Sequence, residues 1–200
     1  MVRIALLACM LLLGPVSKAH AAAIVGAPAP AFELRDADGK NVKLSDYKGK
    51  FVVLEWVNFQ CPFVGKQYGS GNMQALQKKY TGKGVVWLSI CSSAPGKQGN
   101  VTGEEAEELV KEKDAAPSRF LLDPKGKVGK AYGAKTTPHM FVIDPKGIVV
   151  YNGAIDDKPS TRREDVATAK NYVVAALDAS MSGRKVALAA TQPYGCSVKY

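Results

Sequence analysis

One stretch, from Phe51 to Lys66, constrains the fold more than any other part of the sequence. Residues 51–57 are almost continuously apolar, which is typical of a central strand covered on both faces. Cys61 and Pro62 follow, and proline is tolerated in the first turn of a helix because the N–H that it lacks would be unpaired there. The sequence therefore predicts a buried strand that leads into a helix, with Cys61 at the helix N-terminus.

This position would affect the chemistry of Cys61. Unpaired backbone N–H groups and the helix dipole at an N-terminus favour a thiolate over a thiol, and the thiolate is the reactive nucleophile. A buried, inert cysteine is the alternative interpretation of the same pattern. Cys61 is thus a candidate nucleophile on local sequence alone.

The N-terminal residues have the pattern of a signal peptide, which we assign to residues 1–23. Arg3 precedes an apolar run over residues 4–16, and small residues then allow cleavage after Ala21 or Ala23. The run is too short for a stable membrane span, and no later run is long or apolar enough to form one. We expect an exported protein, periplasmic or extracellular, without a stable membrane span.

The rest of the chain suits one domain. The 200 residues are 46% hydrophobic and 22% charged, a composition that favours a folded core over disorder. We assign residues 24–183 to this domain and residues 184–200 to a C-terminal tail that packs onto it. The tail carries aromatic residues and Cys196 but no long periodic run.

Export would change the number of cysteines. Cys9 leaves with the signal peptide, so Cys61, Cys91 and Cys196 remain. Three is an odd number, so at most one internal disulfide can form and one thiol is left over.

The formal charge of +9 does not indicate a nucleic-acid partner. The lysines are scattered through turns and form no basic stripe with interleaved aromatic residues. Metal sites are also disfavoured: His139 is the only histidine after the signal peptide, and Asp156 and Asp157 fit a solvated turn better than an oxygen cage. We expect no metal and no cofactor.

Periodicity and turn signals give the order of the elements. We predict a hairpin over 31–34 and 41–44, strands over 51–57, 85–90 and 119–122, a helix over 62–80 interrupted at 69–71, a helix over 102–113, a hairpin over 140–151 and a helix over 165–181. Asn72 is the expected N-cap of the helix that resumes after the interruption, and Thr102 and Glu105 form a capping box. Strands alternating with helices predict an α/β protein with a mixed central sheet flanked by helices.

Three segments together resemble the thioredoxin-like redoxin family, which includes alkyl hydroperoxide reductases and thiol-specific antioxidant proteins. They are residues 27–50, the Cys-Pro-Phe-Val sequence at 61–64, and residues 136–147 around Thr137 and Pro138. The resemblance covers nearly all of the chain after the signal peptide. It implies a thioredoxin-like fold with an N-terminal β-hairpin and a thiol-dependent redox activity.

The resemblance also implies a substrate site. In that family the proline equivalent to Pro138 is cis and lies against the active cysteine, where the adjacent backbone pairs with an extended substrate segment. The residues expected to shape the pocket or position the substrate are Trp56, Asn58, Pro62, Phe63, Thr137 and Pro138. Glu55, inside the central strand, is a further candidate as a proton shuttle.

The residues alone leave two candidates for the thiol that partners Cys61. Val64 stands where thioredoxins have the second cysteine of their local pair. The Gly-Cys-Ser-Val-Lys-Tyr tail at 195–200 resembles a subgroup with a C-terminal cysteine, which makes Cys196 the first choice of partner for Cys61. Cys91 is the other candidate, and a structural cysteine that anchors the tail is the alternative for Cys196.

We therefore predict an exported thiol-disulfide oxidoreductase in which Cys61 is the nucleophile and Cys196 the resolving thiol. Its partners would be a thiol or disulfide protein substrate, or a peroxide, together with a protein reductant. A peroxidase is the second hypothesis, although Leu54 and Asn58 stand where peroxiredoxins have a Pro and a Thr or Ser. Arg119 is the candidate to hold a peroxide. A redox-inert peptide-binding module is the third.

Overall fold

A seven-stranded mixed sheet lies at the centre of the protein, whose computed structural model describes residues 23–200. Its strands are β1 (Glu33–Asp36), β2 (Asn41–Lys43), β3 (Val52–Trp56), β4 (Val86–Cys91), β5 (Arg119–Leu122), β7 (His139–Ile143) and β8 (Val149–Gly153). The helices are α1 (Pro62–Gly69), α2 (Asn72–Thr81), α3 (Gly103–Glu112), α4 (Lys127–Tyr132) and α5 (Tyr172–Met181). Short strands β6 (Thr136–Thr137) and β9 (Cys196–Ser197) form a separate pair.

The strand order is β2-β1-β5-β4-β3-β7-β8, which places β3 inside the sheet. β3 runs parallel to β4 and antiparallel to β7, and all five of its residues are buried. This confirms the predicted central strand and the predicted α/β class with a mixed sheet. The N-terminal hairpin of β1 and β2 and the hairpin of β7 and β8 are also present.

The two faces of β3 belong to different halves of the core. Val53 and Val57 contribute to the half covered by α1, α2, α3 and α5. Leu54 and Trp56 contribute to the other half, which includes residues of α4 and the N-terminal segment. Because successive side chains of a strand alternate between faces, Cys61 and Trp56 end up on opposite sides of the sheet.

The break in the first helix is where the sequence predicts it. α1 ends at Gly69 and α2 begins at Asn72, but the N-cap of α2 is Gly71 and not Asn72. Gly71 has a φ of +76°, which glycine adopts without the steric cost that a β-carbon brings. The capping box of Thr102 and Glu105 forms as predicted at the start of α3.

The last helix is shorter than predicted. Residues 163–168 form a 3-10 helix, and α5 begins only at Tyr172 with the side chain of Asn171 as its N-cap. Asn171 also forms a β-bridge with Asp156, so the backbone at this point is extended. The prediction of one helix over 165–181 was wrong because this tertiary contact overrides the local helical pattern.

The tail packs along the body of the protein, as predicted. Thr191 contacts β8, Cys196 pairs with β6, and the hydroxyl of Tyr200 donates to the carbonyl of Ala134 at 2.8 Å. Within residues 23–200, no helix is long and apolar enough to cross a membrane. Residues 1–22 of the predicted signal peptide lie outside the described residues.

Candidate active site

Cys61 is the N-cap of α1 and follows the end of β3 by a short turn. Its backbone N–H donates to the carbonyl of Asn58 at 2.9 Å, and its carbonyl accepts from Gly65 N–H at 2.8 Å. Pro62 occupies the first position of the helix. The thiol donates to the carbonyl of Thr137 at 3.0 Å and is only 1% exposed.

Cys196 approaches this thiol from the tail. β9 pairs antiparallel with β6, with Cys196 opposite Thr137 and Ser197 opposite Thr136. This register places Cys196 beside the residue whose carbonyl accepts from the Cys61 thiol, and each of the two cysteines affects the pKa of the other. Both cysteines are free thiols.

The environments of the two thiols differ, and so do their pKa values. Burial alone raises the pKa of Cys61, but hydrogen bonds from the Cys196 thiol, the Val64 backbone N–H and Thr137 outweigh it, so the pKa is lowered. Burial, followed by the hydrogen bond and the charge of Cys61, raises the pKa of Cys196 to about 11. The arrangement therefore favours a thiolate at Cys61 and a protonated thiol at Cys196.

Thr137 contributes to the site through its side chain as well as its carbonyl. Among the described residues its buried hydroxyl has no hydrogen-bond partner while Cys61 is a thiol, and Thr137 lowers the pKa of Cys61 because it can stabilise the thiolate. An unpaired buried hydroxyl is costly. A thiolate at Cys61 would give this hydroxyl an acceptor.

Gly195 allows the tail to lie directly against the backbone next to Pro138. A β-carbon at Gly195 would lie 2.2 Å from the Thr137 carbonyl oxygen, and the φ of +142° is one that other residues rarely adopt. The Thr137–Pro138 peptide bond is cis, as the resemblance implies. The tail thus covers the segment that the resemblance assigns to substrate pairing.

Cys91 has a different environment. Its thiol lies at the end of β4, is buried, and donates to the carbonyl of Gly99 at 3.2 Å. Burial raises the pKa of the Cys91 thiol. It lines a cavity of about 180 Å³ with Asn58 and Phe120, and the structure brings Cys196, not Cys91, to Cys61.

Trp56 does not reach the surface around Cys61. The indole is fully buried on the opposite face of the sheet, against Tyr132 and Phe141. Its N–H donates to the hydroxyl of Ser92 at 3.0 Å. The prediction that Trp56 shapes the pocket was wrong, because the alternation of side chains along β3 directs the indole to the other face of the sheet.

The other predicted substrate residues surround Cys61. Pro62 is exposed, and the half-buried Phe63 has its ring centroid 5.8 Å from that of Tyr194 in the tail. Asn58 is buried, and its side-chain amide donates to the carbonyl of Gln98 at 3.2 Å. Asn58 therefore holds the neighbouring loop rather than presenting a free amide.

Glu55 and Arg119 have other partners. The buried carboxylate of Glu55 accepts hydrogen bonds from the side chains of Tyr68, Gln77, Trp87 and Ser89. Burial raises its pKa, and none of these donors is Cys61. Arg119 pairs with Asp36 at 3.5 Å and with Asp38 at 4.0 Å, so the structure does not place it in a peroxide pocket at Cys61.

One part of the site was missed in the sequence. Asp156, expected in a solvated turn, is 2% exposed and pairs with the buried Lys66 at 3.3 Å. Lys66 lies one turn after Cys61 on α1, and Tyr194 of the tail completes the cluster. The apolar spacing of α1 gives no signal for a buried lysine, because the ion partner comes from a distant segment.

His139 is buried, with both of its ring nitrogens in hydrogen bonds. Its ring nitrogens contact the Lys135 N–H and the Asn152 amide oxygen, at 3.1 and 2.8 Å. Burial lowers its pKa to about 4, which keeps the ring neutral. Within residues 23–200, no group of three or more His, Cys, Asp or Glu side chains is arranged to hold a metal ion.

The mixed sheet, the cysteine at a helix N-terminus and the cis-proline opposite it define a thioredoxin-like thiol oxidoreductase. Residues 25–152 match the AhpC/TSA family, and the chain belongs to this family. The relatives that match it include proteins named thiol-disulfide oxidoreductase and proteins named as peroxidases.

Thiol-disulfide oxidoreductase ResA of Bacillus thuringiensis is 30% identical over 126 residues, covering 63% of this chain and 67% of that protein. A tomato (Solanum lycopersicum) protein described as a "probable phospholipid hydroperoxide glutathione peroxidase" is 32% identical over 152 residues, covering 68% of this chain and 88% of that protein. The crystal structure of an uncharacterized conserved protein from Geobacillus kaustophilus has a TM-score of 0.72 and 30% identity, covering 88% of this chain and 92% of that one.

Proposed function

We propose that this chain catalyses thiol-disulfide exchange, with Cys61 as the nucleophile and Cys196 as the resolving thiol. The observation that carries the proposal is the pairing of Cys196 with Thr137, the residue whose carbonyl accepts from the Cys61 thiol. The pKa of Cys61 is lowered and the pKa of Cys196 is raised. A thiolate attacks a disulfide sulfur, and a second thiol then releases the partner.

The reaction proceeds in two balanced steps. The Cys61 thiolate attacks one sulfur of a partner disulfide, a new S–S bond forms, and the electron pair of the broken bond leaves with the other partner sulfur, which takes up a proton. Cys196, on losing its proton, then attacks the Cys61 sulfur and expels the remaining partner thiolate. A reductant of the thiol class restores both cysteines. The thiols carry both electrons, so the proposed reaction involves no cofactor.

The proposed substrate contacts are Pro62 and Phe63 at the start of α1 and the Thr137–Pro138 backbone opposite them. Thr137 would donate its hydroxyl to the Cys61 thiolate, and Asn58 would hold the adjacent loop in place. Trp56 is left out because of its position on the other face of the sheet. A protein with an exposed disulfide is the proposed substrate, and a protein dithiol the proposed reductant.

Peroxide reduction is the second candidate, supported by the similarity to a protein described as a glutathione peroxidase. The Cys61 thiolate would attack a peroxide oxygen, the O–O bond would break, and water or an alcohol would leave. The Cys196 thiol would then attack the sulfur of the sulfenic acid, forming a disulfide and releasing water. Two observations favour disulfide exchange over this reaction. Leu54 and Asn58 stand at the positions of the peroxiredoxin Pro and Thr, and Arg119 is paired with Asp36.

We also propose that the protein is exported to the periplasm or the extracellular space. Residues 1–23 carry the predicted signal pattern. Ala23 packs in the folded domain, where its carbonyl accepts from the Asn152 amide at 3.0 Å. Cleavage after Ala21 would keep this contact, whereas cleavage after Ala23 would remove it. We therefore favour Ala21. N-terminal sequencing of the secreted chain tests the choice.

Turnover by Cys61→Ser and Cys196→Ser variants tests the proposed activity. With glutathione disulfide or hydrogen peroxide as the oxidant and a dithiol as the reductant, we expect no turnover from Cys61→Ser. Cys196→Ser should form a mixed disulfide at Cys61 and release it slowly. Full turnover by Cys61→Ser would contradict the proposal, and absence of turnover in the wild type would favour a redox-inert peptide-binding module. Faster turnover with peroxide than with disulfide would favour the second candidate.

A further inference from the structure

Helix α1 carries a buried lysine that the proposed thiol chemistry does not use. The side chain of Lys66 is 0% exposed, and its Nζ lies 3.3 Å from Asp156 Oδ2 and 2.6 Å from the carbonyl of Lys158. A buried charge is costly unless it is paired and hydrogen-bonded. Gln67 supports the pair by donating to Asp156 at 2.7 Å.

Tyr194 of the tail completes this cluster. Lys66 Nζ donates to the Tyr194 hydroxyl at 3.2 Å, and that hydroxyl donates to Asp156 Oδ1 at 2.5 Å. The Tyr194 ring also contacts the Phe63 ring, edge to face. The helix that begins at Cys61 thus holds the tail two residues before Cys196.

The tail held in this way fills a strand edge next to Pro138. Among the described residues, β9 is the only strand that pairs with β6, and its pairing places Cys196 opposite Thr137. An open strand edge is a general binding surface for an extended polypeptide. A partner segment that pairs with Thr136 and Thr137 cannot occupy this edge while the tail does.

We propose that Lys66 and Asp156, acting through Tyr194, are positioning residues that latch the tail over Cys61 and so control the choice between internal resolution and access by a partner. With the latch closed, Cys196 is held against Cys61. With the latch open, the edge of β6 and the Cys61 sulfur become available to an extended, cysteine-containing segment. This inference rests on the proposed exchange activity.

The latch has opposite effects on the two steps of exchange. Capture of a partner requires the tail to leave, so a weaker latch speeds it. Resolution requires Cys196 to return to the Cys61 sulfur, so a weaker latch slows it. A general loss of structure would not produce this pair of opposite changes.

The test uses a synthetic peptide with the sequence of residues 193–199, its cysteine carried as a mixed disulfide with thionitrobenzoate. Attack by Cys61 on the peptide sulfur releases coloured thionitrobenzoate, which takes the electron pair and reports capture. Attack by Cys196 on Cys61 then releases the peptide thiol, which mass spectrometry reports. Cys61→Ser is the control for the site of capture.

The variants are Tyr194→Phe, which removes only the hydroxyl, and Tyr194→Ala, which also removes the contact with Phe63. Tyr80→Phe is the matched control, because the Tyr80 hydroxyl donates to Asp178, away from the tail. Since hydrogen bonds to charged groups are among the stronger ones, we expect Tyr194→Phe to speed capture and slow release by roughly threefold or more each. Tyr194→Ala should change both rates more than Tyr194→Phe does, and the rates of Tyr80→Phe should match those of the wild type.

The outcomes separate this inference from the proposed function. Suppose that capture and release both occur at Cys61. If Tyr194→Phe and Tyr194→Ala then leave the two rates unchanged, or change the capture rate and the release rate in the same direction, the latch alone is overturned. Absence of capture at Cys61 in the wild type and in every variant would overturn both the latch and the exchange activity.

Discussion

The Cys61 thiol donates to the carbonyl of Thr137, and Thr137 is also the strand partner of Cys196. One residue of β6 therefore contacts the proposed nucleophile through its carbonyl and aligns the proposed resolving thiol through its place in the strand pair. This shared contact explains how two cysteines far apart in sequence meet without a local pair of the thioredoxin kind.

The Cys196 thiol stabilises the Cys61 thiolate by donating a hydrogen bond. We expect Cys196→Ala to raise the pKa of Cys61, whereas Cys196→Ser should largely preserve it because the serine hydroxyl can also donate. The pH dependence of Cys61 alkylation, followed by peptide mass spectrometry, measures this pKa. If the alkylation of Cys61 has the same pH midpoint in Cys196→Ala and in the wild type, Cys196 does not stabilise the Cys61 thiolate.

Gly195 determines how closely the tail approaches Thr137. Gly195→Ala places a β-carbon 2.2 Å from the Thr137 carbonyl oxygen, so we expect at least a tenfold loss in the rate of internal disulfide formation, equivalent to about 1.4 kcal/mol. Gly65→Ala is the matched control, since a β-carbon there meets nothing within 4 Å. Stopped-flow measurement of tryptophan fluorescence, or timed thiol quenching, gives the rate of internal disulfide formation. Similar rates in Gly195→Ala and Gly65→Ala would be evidence against close packing of the tail on Thr137.

Cys91 should be dispensable for turnover. Its thiol is buried, its pKa is raised, and it donates to Gly99 rather than to Cys61. We expect Cys91→Ala to keep the wild-type turnover rate while losing some stability through the small cavity that it leaves, about 1 kcal/mol. A loss of turnover comparable to that of Cys61→Ser, in a variant that still folds, would identify Cys91 as a catalytic thiol.

Glu55 should make stability depend on pH. Burial raises the pKa of Glu55 in the folded state above its value in the unfolded state. Its contribution to the stability of the fold is therefore fully present below the unfolded-state pKa and is lost as the pH rises through the folded-state pKa. We expect the melting temperature of Glu55→Gln near pH 7 to be a few degrees above that of the wild type. In a chain of this size, each kcal/mol of added stability raises the melting temperature by about 2–4 °C.

The difference should shrink in acid, where Glu55 of the wild type is protonated. The exposed Glu164→Gln is the control and should leave the melting temperature unchanged at each pH. A wild type that is more stable than Glu55→Gln near pH 7 would mean that the four hydrogen bonds to the carboxylate outweigh its burial.

The fold and the family were predictable because they depend on local patterns. The apolar run at 51–57, the Pro62 helix start and the turn at 144–147 each give an unambiguous signal, and the comparisons confirm the family that these segments indicate. The helix boundary at Tyr172 was not predictable, because a contact between Asn171 and Asp156 sets it.

The site was only partly predictable, for the same reason. The structure places Thr137, Pro138 and Cys196 at Cys61, where motif and resemblance expected them, but which thiols react stays a prediction. Trp56 was predicted to shape the pocket, but the alternation of side chains along β3 directs it to the other face of the sheet. The ion pair of Lys66 and Asp156 joins distant segments, and no local pattern could reveal it.

Peptide mapping of the protein by mass spectrometry without reductant, before and after mild peroxide, tests the central claim most directly. The account predicts a disulfide between Cys61 and Cys196 that forms on oxidation, reverses with a dithiol and leaves Cys91 free. A Cys61 that stays free and unreactive, or a disulfide between Cys61 and Cys91, would contradict it.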